Sequence, residues 1–155
     1  MIATPRPWAG PALAGLARVV LGVLWLNEGL LKYHAGFAGK DILLVAGGAQ
    51  TNTRVPPYFR LFASTVMEPA SGLFGVMIPL LETALGIALV LGVFTRLAAV
   101  ISVFTLLLYW SSDQLIWEYP VMAALSVAVL IWPKAASRFS VQTLIGWFRR
   151  RAPAG

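Results

Sequence analysis

The hydrophobic positions of the chain form four long runs, at about residues 11–33, 70–94, 97–110 and 115–132. A helix that crosses a bilayer needs about 20 mostly apolar residues, so the first two runs are long enough and the last two are short. The pattern predicts four transmembrane helices. An alternative has three spans, with the fourth run lying on the membrane surface.

Residues that favour turns and helix ends agree with these limits. Pro79 lies inside the second run and predicts a bend there. Asp113 is a candidate N-cap for the fourth run, Pro120 falls in its first turns and Pro133 ends it. We expect the first run to be retained rather than cleaved as a signal peptide, because it is too long and Glu28 and Lys32 occupy the place of a cleavage site.

The segment between the first two runs, residues 34–69, is too apolar for a solvated loop. The stretch "DILLVAGG" predicts a short helix that ends at Gly47 and Gly48. Apolar residues then recur with helical spacing, which predicts one face of an amphipathic helix made of Phe59, Phe62, Ala63, Val66 and Met67. We expect the segment to form an extracytoplasmic cap that lies on the outer membrane surface or dips into it.

The C-terminal residues 138–151 predict a second interfacial helix. Val141, Leu144, Ile145 and Phe148 share one face, and Arg149 to Arg151 follow. Such a helix is attracted to anionic lipid by about 1 kcal/mol per basic residue. The simplest interpretation of this helix is an anchor.

Composition supports a membrane protein, since 59% of the 155 residues are hydrophobic and only 12% are charged. A soluble domain has about 25% charged residues. The chain has no cysteine and one histidine. These counts exclude thiolate zinc, iron–sulfur and thiol redox chemistry within the chain, and we expect no metal site and no covalently bound cofactor.

The net charge is +6, but the basic residues lie at the ends of the apolar runs and do not form a nucleic-acid patch. With four spans both termini lie on one side, together with Arg96, Lys134 and Arg138 and no acidic residue. The other side carries a mixture of both signs. The positive-inside rule therefore predicts that both termini are cytoplasmic.

Four charged residues interrupt the first two runs, and these are the candidate site residues. Arg18 and Lys32 lie on one line along the first predicted helix, and Glu82 lies on a stripe of small residues on the second. Because a charge near the bilayer centre costs at least about 2.5–3.5 kcal/mol, we expect Arg18 and Glu82 to pair. Glu28 and Lys32 are four residues apart, in the favoured order for an ion pair.

The same stretch, "LNEGLLKYH", holds Asn27 and His34, and we expect these to join the charges at the floor of an outward-opening pocket. Trp25 and Phe62 are the candidate ring neighbours. The structural alternative is that the ion pairs only lock helices together. His34 alone is more typical of a surface residue than of a ligand.

Two motifs carry a resemblance to a known family. "LARVVLGVLWLNEGLLK" has Arg18, Gly22, Gly29 and Lys32, and "PLLETALGIALVLGVFTRLAAV" has Glu82, Gly86, Gly92 and Arg96. In order and spacing they resemble the DoxX/DoxD family of small four-helix membrane proteins, and the long first loop is closer to the DoxD branch. The resemblance implies a bacterial inner-membrane subunit of a thiosulfate:quinone-type oxidoreductase, working with a second protein subunit.

Three hypotheses for function follow. The first is a quinone-handling subunit, with the candidate residues near the quinone carbonyls and the sulfur-compound donor handled by a partner. The second is a non-catalytic scaffold or anchor for an oxidoreductase complex. The third is a small transporter, which would require a homo-oligomer because four helices are few for alternating access.

Overall fold

The computed structural model describes residues 9–138, 140, 141 and 143, and the elements named below belong to this part of the chain. Four long helices occupy the four apolar runs: α1 (Ala9–His34), α4 (Ser71–Leu91), α5 (Thr95–Ser111) and α6 (Glu118–Ile131). Three shorter helices are α2 (Gly39–Thr51), α3 (Pro57–Phe62) and α7 (Pro133–Ala136), and a π-helical turn (Ala63–Met67) continues α3. The described residues contain no strand, so the described fold is all-α.

Two helices, α1 and α4, are long and apolar enough to cross a membrane, whereas α5 and α6 are apolar but shorter. Most of their outward-facing side chains are apolar, among them Leu16, Leu73 and Phe104. A surface of this kind matches the chain's composition and suits a lipid environment.

The pair α1 and α4 packs at very close range. A Cβ atom added at Gly86 would come within 2.7 Å of the backbone nitrogen of Leu26 and within 2.8 Å of the carbonyl oxygen of Gly22. Gly22 faces α4 equally closely, at 2.8 Å from the nitrogen of Val90. Small residues therefore let the two backbones touch, as in other membrane helix pairs.

The main core joins α1, α4, α5 and α6 around the fully buried side chains of Leu21, Trp25, Leu89 and Met122. A second cluster joins α2, α3 and the π-helical turn to α4 through Ile42, Ala46, Val55, Phe59, Ala63 and Met67. Residues 35–70 thus form a packed substructure, which we call the α2–α3 segment.

Three expectations for local structure need correction. The helix α2 does not end at Gly47 and Gly48 but continues to Thr51, because both glycines have the space and backbone of ordinary helical residues. Asp113 does not cap α6, which begins at Glu118; it accepts a hydrogen bond from Asn52 (2.8 Å) instead.

Val66 is the third correction, since it lies exposed while Met67 is buried. The wider π-helical turn brings residues four apart, Ala63 and Met67, onto the buried face and turns Val66 away.

The molecule has two chemically different ends. At one, the Asn52–Asp113 bond and a Tyr58–Ser111 hydrogen bond (2.8 Å) tie the α2–α3 segment to the turn between α5 and α6. At the other, the turn between α4 and α5 lies beside α7; we call this the α7 end. The predicted tail helix 138–151 lies almost entirely outside the described residues.

Candidate functional site

The polar residues of α1 and α4 meet in one buried network. Lys32 lies near the C-terminal end of α1, and its Nζ donates to Glu82 Oε1 at 2.8 Å and to Glu28 Oε2 at 3.1 Å. Glu82, on α4, is fully buried, and Glu28 is nearly so. One ammonium group therefore bridges two buried carboxylates from two helices.

Two tyrosines close the network from α5 and α6. Tyr109 donates its hydroxyl to Glu82 Oε1 at 2.5 Å, and Tyr119 donates to Glu28 Oε2 at 3.0 Å. The two rings stack with centroids 5.2 Å apart. The Lys32 ammonium also lies 5.6 Å from the centroid of the Tyr109 ring, a distance that permits a cation–π contact. All four long helices thus contribute to this polar network, defined by Glu28, Lys32, Glu82, Tyr109 and Tyr119.

One atom of the network has no partner. Glu82 Oε2 is buried and makes no hydrogen bond with the described protein atoms, whereas Oε1 accepts two. A buried carboxylate oxygen left unsatisfied is costly, and such atoms are uncommon in folded proteins. The network also holds two carboxyl groups and a single ammonium group. The network can therefore bind one more proton, or its unpartnered oxygen can accept a hydrogen bond from a ligand.

Trp25 belongs to the same region and lies 6.5 Å from Tyr109 between ring centroids. Its Nε1 donates to Ser102 Oγ at 2.7 Å, and Ser102 is hydrogen-bonded to Ser126 at 2.7 Å. This chain of hydrogen bonds fixes the indole beside the network and satisfies hydroxyl groups on α5 and α6.

The expected Arg18–Glu82 pair does not form, and this is the main correction at the site. Glu82 takes Lys32 as its cation, since Lys32 and Glu82 face one another across α1 and α4 at the same level. Arg18 lies nearer the N-terminal end of α1, where it donates to the carbonyl oxygens of Leu89, Val90 and Ala136. These carbonyls lie at helix C-terminal ends, where a cation is favoured by the helix dipole.

Of the four expected pocket neighbours, only Trp25 reaches the network. Asn27 and His34 are exposed on the outer face of α1. Phe62 packs in the α2–α3 segment, with its ring centroid 6.2 Å from that of Phe74. The Glu28–Lys32 pair, by contrast, forms as expected.

Sequence reasoning missed Tyr109 and Tyr119, although a signal for both was present. Tyr109 follows the buried Ser102 and Thr105 at helical spacing on α5, and Tyr119 precedes the buried Ser126 on α6 with the same seven-residue interval. A polar stripe on an otherwise apolar helix indicates an inward face. Tyrosines near the ends of apolar runs are usually assigned to the membrane interface, so these two were not recognised as part of a polar stripe that faces inward.

No group of three or more histidine, aspartate or glutamate side chains is placed to hold a metal ion within the described part of the chain. Surface grooves of about 560 and 610 Å³ lie elsewhere on the described part of the chain, and the polar network lines neither of these two. Glu82 is fully buried, whereas Lys32 and Tyr109 are the partly exposed members of the network.

An all-helical chain with an apolar exterior and charges buried between its helices defines a small integral membrane protein. The model of the DoxX family matches residues 13–112, about two thirds of the chain, and includes Glu28, Lys32, Glu82 and Tyr109. The chain belongs to the DoxX family. At a significant level, neither a curated protein nor a solved structure matches it.

Proposed function

We propose that this protein is the membrane subunit of a quinone-linked oxidoreductase, and that the polar network serves the quinone headgroup. The observation that carries the proposal is Glu82: one of its carboxylate oxygens accepts from Lys32 and Tyr109, while the other has no partner among the described residues. A quinone site needs a donor or acid near the carbonyl oxygen and apolar walls around the ring. The network supplies the acid and the donors, and the apolar side chains of the main core pack beside it.

Reduction of a quinone to a quinol takes up two electrons and two protons. Lys32 is 18% exposed and bonds to both carboxylates, so it connects the buried acids with the surroundings. In this proposal Glu82 and Glu28 relay the two protons, since each carboxylate takes up a proton from the surroundings through Lys32 and passes it to a quinone oxygen. The electrons come from a second subunit, since the chain has no cysteine and a single histidine. The resemblance to the DoxD branch favours a sulfur compound such as thiosulfate as donor.

In the same proposal, α1, α4, α5 and α6 all cross the inner membrane of a bacterium. The α2–α3 segment forms the extracytoplasmic cap, and both termini are cytoplasmic. Among the described residues, Arg96, Lys134 and Arg138 lie at the α7 end without an acidic neighbour in sequence, which supports this orientation.

The test is the quinone content of protein purified in mild detergent, for wild type, Glu82→Gln and the control Glu68→Gln. Glu68 is exposed and outside the network. We expect wild type and the control to carry quinone and Glu82→Gln to carry about tenfold less. This change corresponds to the loss of one hydrogen bond between the quinone and the acidic group of Glu82. Glu82→Gln should keep its helical content, because Lys32 retains Glu28 as a partner.

A specific observation favours a second function, a non-catalytic scaffold for an oxidoreductase complex. The charges of the network pair with one another, and neither groove reaches them, as in a lock between helices. A wild type without quinone, together with a Glu82→Gln variant that melts much lower, would establish the scaffold and overturn the quinone site.

A further inference from the structure

A groove of about 560 Å³ at the α7 end lies apart from the polar network and has a mixed lining. Its polar lining residues are Thr95, Arg96 and Ser137, and its apolar ones are Phe94, Leu97 and Val100. The apolar residues are exposed on the outer face of the helices, with Phe94 65% and Leu97 57% accessible. The groove therefore offers polar and cationic groups beside a surface suited to lipid chains.

Thr95 has a buried hydroxyl group without a partner. Its residue is only 4% exposed, and Oγ1 makes no hydrogen bond to the described protein atoms. Other helical threonines in the chain bond back to a carbonyl, as Thr105 does to Ile101 at 3.0 Å and Thr83 to Pro79 at 2.8 Å. Buried hydroxyl groups are normally satisfied. Because Thr95 lines the groove, its hydroxyl is a candidate donor to a ligand that binds there.

The N-terminus of α5 adds further donors at the same place. The first N–H groups of a helix have no partner within it, and no side chain among the described residues caps residues 95–97. The first turn holds no acidic residue, so the positive end of the helix dipole is uncompensated. Arg96 contributes a full positive charge to the lining.

No acidic side chain offsets this charge nearby. The six acidic residues of the chain all belong to the polar network, the α2–α3 segment or the turn and helix start that follow α5: Glu28, Glu82, Asp41, Glu68, Asp113 and Glu118. In the sequence, Lys134 precedes the lining residue Ser137 and Arg138 follows it, and both add positive charge to this end of the molecule. Basic pockets between membrane helices on the cytoplasmic side are typical sites for anionic headgroups.

We propose that this groove binds the phosphate group of an anionic phospholipid. The Thr95 hydroxyl, the free N–H groups of α5 and Arg96 donate to the phosphate oxygens, and the acyl chains lie along Phe94, Leu97 and Val100. The exposed apolar rim is the reason to assign a lipid rather than free phosphate, which would gain nothing from it. Because Ser137 also lines the groove, the bound lipid bridges α5 and the turn after α7.

The experiment is native mass spectrometry in mild detergent with added phosphatidylglycerol, phosphatidylcholine or inorganic phosphate. We expect wild type to bind phosphatidylglycerol in preference to the other two. Thr95→Val keeps the shape of the side chain and removes the donor, and we expect it to weaken phosphatidylglycerol binding by about tenfold. Arg96→Gln should weaken it as well, and the matched control Lys40→Gln, an exposed cation in α2, should not.

Thermal melting separates a ligand site from a structural role of the hydroxyl. Without added lipid, Thr95→Val should melt at the same temperature as wild type or higher, because it removes an unsatisfied polar group. With phosphatidylglycerol, wild type should gain more in melting temperature than the variant. Unchanged phosphatidylglycerol binding in both groove variants would overturn the proposal, since it would indicate annular lipid only. Equal binding of phosphatidylcholine, or displacement by inorganic phosphate at matched concentration, would overturn it too.

Discussion

Lys32 is the residue on which the polar network depends. It is the only cation within 4.0 Å of Glu28 or Glu82 among the described residues, and it bonds to both. Replacing one partner of a buried ion pair leaves the other charge uncompensated, which is far more costly than replacing both. The consequences of substituting Lys32 and Glu82 should therefore not be additive.

We expect Lys32→Met to lower the free energy of unfolding by about 3 kcal/mol, because two buried carboxylates then lack a cation. The double variant Lys32→Met, Glu82→Gln should be more stable than Lys32→Met alone, with a coupling energy of about 1–3 kcal/mol. The measurement is detergent-based equilibrium unfolding followed by circular dichroism. Lys40→Met, which removes an exposed lysine, should change little and serves as the control. Additive effects would show that Lys32 and Glu82 do not interact.

At the scale of elements, the close approach of α1 and α4 places Lys32 within reach of Glu82. Gly22, Gly29 and Gly86 line this contact, and a Cβ atom at any of them would meet the opposite helix. A wider separation would lengthen the ion pair between the helices. The glycine positions and the polar network therefore depend on one another.

Gly86→Ala tests this contact, since its methyl group would collide with the backbone of Gly22 and Leu26. We expect a loss of about 1–3 kcal/mol in the free energy of unfolding, as for other overpacked interiors. The matched control is Gly47→Ala in α2, where an added Cβ meets nothing within 4 Å. That variant should gain up to about 1 kcal/mol from helix propensity. The same sign for both substitutions in thermal melting would contradict the tight α1–α4 contact.

At the scale of the whole molecule, the two ends differ in charge, and this asymmetry predicts orientation. The charged residues described at the α7 end are all basic, whereas the α2–α3 segment has Asp41 and Glu68 in addition to its basic residues. The positive-inside rule predicts that the α7 end is cytoplasmic. The positive charge of Arg96, which no acidic side chain offsets among the described residues, is also a basis of the proposed anionic lipid site.

Single-cysteine variants can test the orientation directly, because the chain has no cysteine of its own. Lys40→Cys, in the α2–α3 segment, should react with a membrane-impermeant maleimide on intact spheroplasts. Lys134→Cys, in α7, should react only after the membrane is permeabilised. Both positions are exposed, so accessibility within the fold does not limit labelling. Labelling of both variants in intact spheroplasts would show that the four-span arrangement is wrong.

The helical class, the approximate position of each long helix, the membrane character and the family can all be predicted from the sequence. These features follow from apolar runs and their periodicity, which are properties of single segments. The sequence also identified Glu28, Lys32 and Glu82 as unusual, because a charge in an apolar run is costly wherever the helix packs.

Which charges meet depends on how the helices pack, and the sequence does not show this. The pairing of Lys32 with Glu82 depends on the axial offset between α1 and α4, which the close glycine contacts set. Periodicity gives the face of a residue but not its level relative to another helix, so Arg18 was paired with Glu82 in error. Tyr109 and Tyr119 likewise join the site through the packing of the helices. A tyrosine at the end of an apolar run does not show in the sequence which group its hydroxyl will bond to, because that group lies on another helix.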